Sequence, residues 1–282
     1  MAEELRDILN IAGGLLNQYE PRREQCWPVA PSSTLAGDDA QCDPYHLSHS
    51  VQHAINVAMD HVQCLYSSMI RQTTTDQTYV QLNTHGQATL LRCVLENSAR
   101  AVWLLAPSQR LERIRRRLAL QNDDHRNNRA MTKIMLAASQ NPADPDTFYA
   151  RSEEAQHDQL TSLLRAAGAA YPSPKDWKAA LRFPTYAEVV REAGRLLPQP
   201  SGVADPLDMG SLLEMAWRGC SALAHGDLSG TLSQLNREVT SEDGNNMFIR
   251  LTGSAENILL WTQLAGLTVT KAANLFEERS TS

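Results

Sequence analysis

The chain has 282 residues, 42% of them hydrophobic and 21% charged, ordinary values for a folded protein large enough for one large or two small cores. No run of about 18 apolar residues occurs, which argues against a membrane-spanning helix, and the net charge of −6 argues against nonspecific coating of nucleic acid while leaving room for a local basic patch. The opening MAEELRDILN carries acids and no basic segment, so no signal peptide and a cytoplasmic location are expected. Five scattered cysteines, Cys26, Cys42, Cys64, Cys93 and Cys220, contain no CxxC pair and predict neither a disulfide framework nor a zinc knuckle.

In chain order, residues 3–19 carry Leu5, Ile8, Leu9, Ala12, Leu15 and Leu16 at helical spacing. Residues 20–43, rich in Pro, Ser, Gly and Asp, predict a long loop. Asp43-Pro44 reads as a helix start. Leu47, Val51, Ala54, Ile55, Ala58, Val62, Leu65 and Met69 then continue a helix to about Arg71. A Thr-rich turn over 72–78 precedes a strongly apolar helix over about 84–105. A charged helix follows over about 108–139. Asn141-Pro142 and Asp144-Pro145 break the chain before a helix over 146–167. Residues 171–205, with two short helices between prolines, read as a variable insert.

Pro206 opens a helix over about 207–225 that Gly226 closes as a left-handed cap. Residues 236–240 and 247–252 predict a small hairpin around Ser241-Glu242-Asp243-Gly244. A last helix covers 254–278. The expected architecture is one all-α domain, a multi-helix bundle with a small β-hairpin near 236–252.

Four constellations could carry chemistry. The first is Arg218-Gly-Cys-Ser-Ala-Leu-Ala-His225. Seven residues are nearly two helical turns, so Arg218 and His225 share a face about 10 Å apart along the axis. His225 ends its helix, near the free carbonyls. An arginine that holds phosphate and a histidine that moves protons are the parts metal-free RNA cleavage needs. The plain alternative is a helix-capping histidine and an unrelated surface arginine.

The second is Arg92, Glu96 and Arg100, spaced i, i+4, i+8 on an otherwise apolar helix. Glu96 could orient Arg218 or His225 across the bundle, and Arg92 or Arg100 could add a phosphate contact. Alternatively the three form an ion-pair ladder that fixes helix packing. The third is His46, His49 and His53 with Asp60, on one helix face where imidazoles could share a metal. That face lies opposite the apolar stripe, so a solvated stripe is the competing reading. The fourth is the basic helix, in which Arg113, Arg116 and Arg117 share a face that could track an RNA backbone, or simply face solvent. Asn122-Asp-Asp-His125 lacks the acidic partner a metal motif would need, and there is no P-loop, GxGxxG, HExxH or GxSxG. Trp103, Trp217 and Trp261 are expected in the core.

The Arg-x6-His motif on a late helix of an all-α domain resembles the HEPN superfamily. That resemblance implies a metal-independent endoribonuclease without a cofactor. It also implies a homodimer with facing motifs and a role as a toxin or in antiviral defence; whether an inhibitor or antitoxin is a further partner is not given by the sequence. Arg218 and His225 would be catalytic. The spacing is at the motif's long limit, and the residue after the arginine, commonly polar, is Gly219. The segments Ala58–His61, Leu91–Leu105, Arg113–Leu118 and Ser221–Gly226 also resemble a family of uncharacterised actinobacterial helical proteins, which supports the fold and supplies no activity. The alternatives to a nuclease are a non-enzymatic helical interaction protein and, third, a metal-dependent helical-bundle enzyme using His46, His49 and His53.

Overall fold

The computed structural model describes residues 1–23, 27–72, 78–138, 145–168, 176, 179–199, 207–243 and 246–282. The Thr-rich turn, the Asn141–Asp144 breaker, Cys26, Pro206, Gly244 and much of the 171–205 segment lie outside them.

The chain is all-α with a small hairpin, as the periodicity predicts. Its elements are α1 (Ala2–Arg23), α2 (Thr34–Cys42), α3 (Leu47–Met69), β1 (Ile70–Gln72), β2 (Thr78–Val80), α4 (Gly86–Leu105), α5 (Arg110–Ala137), α6 (Pro145–Ala166), α7 (Tyr186–Gly194), α8 (Met209–His225), α9 (Leu228–Gln234), β3 (Asn236–Asp243), β4 (Asn246–Thr252) and α10 (Ala255–Thr281). Among the described residues no helix is long and apolar enough to cross a membrane.

Two local expectations change. The loop expected over 20–43 contains α2, whose start is fixed by Ser33 accepting a hydrogen bond from the Ala36 amide at 3.2 Å. Asp43 flanks the C-terminal end of that helix and does not open the next one, which begins at Leu47. The two-stranded β1–β2 pairing, Ile70 opposite Val80, and the short helix α9 are additions to the predicted elements.

Where one domain was expected, the chain divides into two compact units, each assembled from several segments. The first comprises Met1–Trp27, Gln52–Trp103 and Tyr186–Leu275. Its core draws Ile8 and Leu16 from α1, Ile55 and Leu65 from α3, Leu91 and Leu95 from α4, Leu213 and Cys220 from α8, and Trp261 and Val269 from α10. Trp27 is buried and stacks on Tyr19, with ring centroids 6.3 Å apart. Strands β3 and β4 pair antiparallel with Val239 opposite Ile249 and an irregularity between Val239 and Ser241.

The second unit comprises Pro28–Val51, Leu104–Thr185 and Phe276–Ser282. Cys42 of α2, Ile114 and Leu118 of α5, and Leu160 and Leu164 of α6 form its apolar cluster with Ala180 and Leu181. Arg115 and Asn122 of α5 hold the segment around 180 by donating to the carbonyls of Ala180 and Leu181, at 2.9 and 3.1 Å.

Candidate functional site

Helix α8 owes its limits to its ends. Asp208 caps the start by accepting from the amides of Gly210 and Ser211, at 3.1 and 3.3 Å. Gly226 ends it at φ 67°, a left-handed conformation that glycine adopts without strain, with the Asp227 amide donating to Ala222. One face of the helix buries Leu213, Ala216, Cys220 and Leu223. The helical advance of about 100° per residue places Glu214, Arg218 and His225 in one line on the other side.

Arg218 and His225 are both exposed, so neither points into the core. Gly230 of α9 lies against Ala222 of α8. The glycine after the arginine also has a physical reason. A Cβ at Gly219 would stand 3.0 Å from the Trp261 ring and 3.2 Å from Gln234 Oε1. Any larger residue there would press on the ring of buried Trp261.

Arg218 is oriented by its neighbour one turn back. Its Nε and Nη2 lie 2.8 and 2.7 Å from Glu214 Oε1. The other carboxylate oxygen, Oε2, is 2.5 Å from Arg191 Nε on α7. Burial pushes the Glu214 carboxyl up, but hydrogen bonds from Arg218 and Arg191 and their charges more than offset this and hold it below its ordinary value. Arg191 reaches Glu214 because α7 and α8 touch backbone to backbone. A Cβ at Gly194 would meet Gly210 Cα at 2.8 Å, and one at Gly210 would meet the Arg191 carbonyl oxygen at 2.8 Å.

The Arg92–Glu96–Arg100 ladder lies beside this helix. Glu96 accepts a hydrogen bond from Trp217 Nε1 at 3.1 Å and faces Arg92 Nη2 at 3.6 Å. Arg92 stands 6.0 Å from the centre of the Trp217 ring, and Arg100 donates to Asn97. Glu96 therefore fixes the residue preceding Arg218. Burial raises the Cys220 thiol well above its ordinary value, and it raises Cys93 as well.

The basic helix does not form the expected RNA track. Arg113 is 1% exposed, and its Nε and Nη2 donate to Asp38, itself fully buried, at 2.6 and 3.0 Å. Its Nη1 donates to the carbonyls of Pro107 and Ser108, both at 2.8 Å. Arg117 is buried too, with Nη2 on Gln121 at 2.7 Å and its guanidinium 5.9 Å from the Tyr45 ring centre. Arg116 pairs with Glu112 at 2.9 Å. Two of the three guanidiniums expected to meet phosphate are thus buried in the second unit, Arg113 against the Asp38 counter-charge and Arg117 against Gln121 and the Tyr45 ring.

The histidine stripe stays on the outer side of α3, with His49 and His53 exposed. His46 Nε2 meets Asp43 Oδ1 at 3.1 Å, and the rings of His46 and His49 lie 4.7 Å apart. Among the described residues no group of three or more His, Cys, Asp or Glu side chains is placed to hold a metal ion. Of the expected core tryptophans, Trp103 and Trp261 are buried and Trp217 is half-buried.

Sequence reasoning singled out Arg218 and His225, which the structure places on one exposed face of α8, and did not point to Glu214 or Arg191 beside them. Glu214 sits four residues before Arg218, an i, i+4 pair that the sequence displays. Arg191 lies on another helix, and no local signal could have brought it here. No protein-family model, curated protein or solved structure matches the chain.

Proposed function

We propose that this protein is a metal-independent endoribonuclease of the HEPN type, acting as a homodimer, with Arg218 holding the scissile phosphate and His225 transferring a proton. The observation that carries this reading is the exposure of both side chains on one face of α8, with Arg218 already oriented by Glu214. Cleavage proceeds by attack of an RNA 2′-oxygen on the adjacent phosphorus. The 2′-O–P bond forms and the P–O5′ bond breaks. One proton leaves the 2′-hydroxyl and one reaches the departing 5′-oxygen. The guanidinium stabilises the charge that develops on the phosphoryl oxygens. A second copy supplies the other proton-transferring group. Exposed Met215 and Leu228, flanking the motif, suit such an interface. A part in toxicity or antiviral defence, with an inhibitor or antitoxin as partner, belongs to the same reading.

The experiment is incubation of a mixed RNA pool with purified protein in EDTA, beside His225→Ala. Cleavage by the parent, at least about a hundredfold slower in the variant, is the expected result. Equal cleavage by both, or by neither, rejects it.

One observation favours a second reading, a non-enzymatic interaction protein. All eight residues of β3 are exposed, and the β3–β4 hairpin carries Val239, Phe248 and Ile249 into solvent. Exposed apolar side chains on a two-stranded hairpin are what a partner surface presents. This reading takes precedence if the pool is untouched while Phe248→Ser abolishes self-association or capture of a partner.

A further inference from the structure

We propose that Arg191 joins Arg218 in a two-guanidinium site for the phosphates of single-stranded RNA, in line with His225 along α8. The proposal deepens the nuclease reading and rests on it for the identity of the ligand.

Glu214 is a single carboxylate of which only 10% is exposed, and it holds two arginines, one on each oxygen. One guanidinium suffices to neutralise it, so the pair carries one surplus positive charge. Each guanidinium has five N–H donors. The carboxylate engages Nε and Nη2 of Arg218 and Nε of Arg191, and the two side chains are 62% and 49% exposed, which leaves donors for a ligand. Arginines laid edge-on to a buried carboxylate have lost most of their rotamer freedom before a ligand arrives, which removes part of the ordering cost of binding.

The order along the helix gives the ligand its shape. Glu214, with Arg191 beside it, Arg218 and His225 fall on one line, and Glu214 and His225 are eleven residues, or about 16 Å, apart along the axis. That length spans more than one phosphate. A chain of phosphates extending from the cleaved bond would meet His225, then Arg218, then Arg191. In-line attack by a 2′-hydroxyl requires a backbone released from the A-form helix, so the ligand is single-stranded.

The test measures binding of a fluorescein-labelled twelve-nucleotide single-stranded RNA by anisotropy, in EDTA, over a series of salt concentrations. The chain carries His225→Ala so that the probe stays intact. Adding Arg191→Gln is expected to lower the slope of log Kd against log salt by roughly 0.7, the loss of one single-strand phosphate contact. Arg218→Gln is expected to do the same. Arg6→Gln, an exposed arginine on α1, is expected to leave the slope unchanged. Arg191→Lys, which keeps charge and loses the fork, is expected to keep the slope with weaker affinity. It also serves if Arg191→Gln fails to fold. A duplex of the same sequence is expected to bind more weakly.

An Arg191 slope equal to that of the Arg6 control, or absence of binding at low salt, overturns the proposal. So does equal binding of duplex. The two readings fail separately. Normal His225-dependent cleavage with an unchanged Arg191 slope removes the clamp and leaves the nuclease. An Arg191-dependent slope in a chain that never cleaves removes the nuclease and leaves the clamp.

Discussion

Replacing Asp38 by asparagine tests the account of the second unit most severely. Asp38 is fully buried and accepts from two nitrogens of Arg113, itself 1% exposed. The substitution keeps the shape and removes the charge, so Arg113 is left as a buried cation. Breaking a buried pair by removing one partner costs about 3–5 kcal/mol. The lower end is expected here, because Nη1 keeps its bonds to Pro107 and Ser108. Arg110, half-exposed and also paired to Asp38, adds at most about 1 kcal/mol. The assay is urea denaturation by circular dichroism, with hydrogen exchange of α2 and α5 peptides to localise the loss. Asp38→Leu combined with Arg113→Met is expected to recover most of it, since a packed apolar pair replaces a buried ionic one at little net cost. A loss under about 1 kcal/mol for Asp38→Asn, or a double variant as unstable as the sum of the single ones, refutes the reasoning. In either case Arg113 would no longer be explained as structural.

Three further outcomes are expected. The Glu214 and Glu112 carboxyls are held below their ordinary value by paired arginines against the opposing effect of burial. Their folded pKa values are depressed, so their contribution is present above the unfolded carboxylate range and is lost as pH falls through the folded value. Urea melts at pH 7, 5 and 3.5 should show the deficit of Glu214→Gln shrinking toward the acid end, and a constant deficit would contradict the pairing. Burial pushes the Cys42 thiol up to about 12 and Cys220 well up also, whereas Cys64 is exposed. Iodoacetamide at pH 8 should therefore alkylate Cys64 in the native chain and the other two only in urea, and equal rates would rule this out. Gly219→Ala should destabilise by about 1–3 kcal/mol through its clash with Trp261, while Gly14→Ala, whose Cβ meets nothing within 4 Å on a helix, should stabilise by about 0.5–1 kcal/mol. Thermal melts of the two variants check both signs.

The fold was legible wherever burial imposed a period. The stripe from Leu47 to Met69 and the dense apolar run ending at Leu105 predict α3 and α4 to within a few residues, because one buried face repeats every three or four positions. Helix α2 escaped because its interior reads Gly-Asp-Asp. Its Asp38 is buried against Arg113 and Arg110, 75 and 72 positions away, and such partners leave no local trace. Ser33, the capping residue, was the one local signal. The same non-locality misassigned Arg113 and Arg117: a helix with many arginines looks solvated until the counter-charge or the ring that covers them is known. At the candidate site, Arg218 and His225 were visible from spacing alone. The support came from elsewhere, from Trp217 and Glu96 across a helix contact and from Arg191 through the Gly194–Gly210 approach. Spacing along one helix says which side chains share a face. It does not say what a second helix brings to that face.

The measurement that bears most directly on the central claim is the chemistry of the RNA ends. RNA cut by the purified protein in EDTA should carry 2′,3′-cyclic phosphate and 5′-hydroxyl ends, and His225→Ala should yield neither. Fragments with 3′-hydroxyl ends, fragments identical from parent and variant, or intact RNA would each contradict the assignment of Arg218 and His225 as a site of metal-free RNA cleavage.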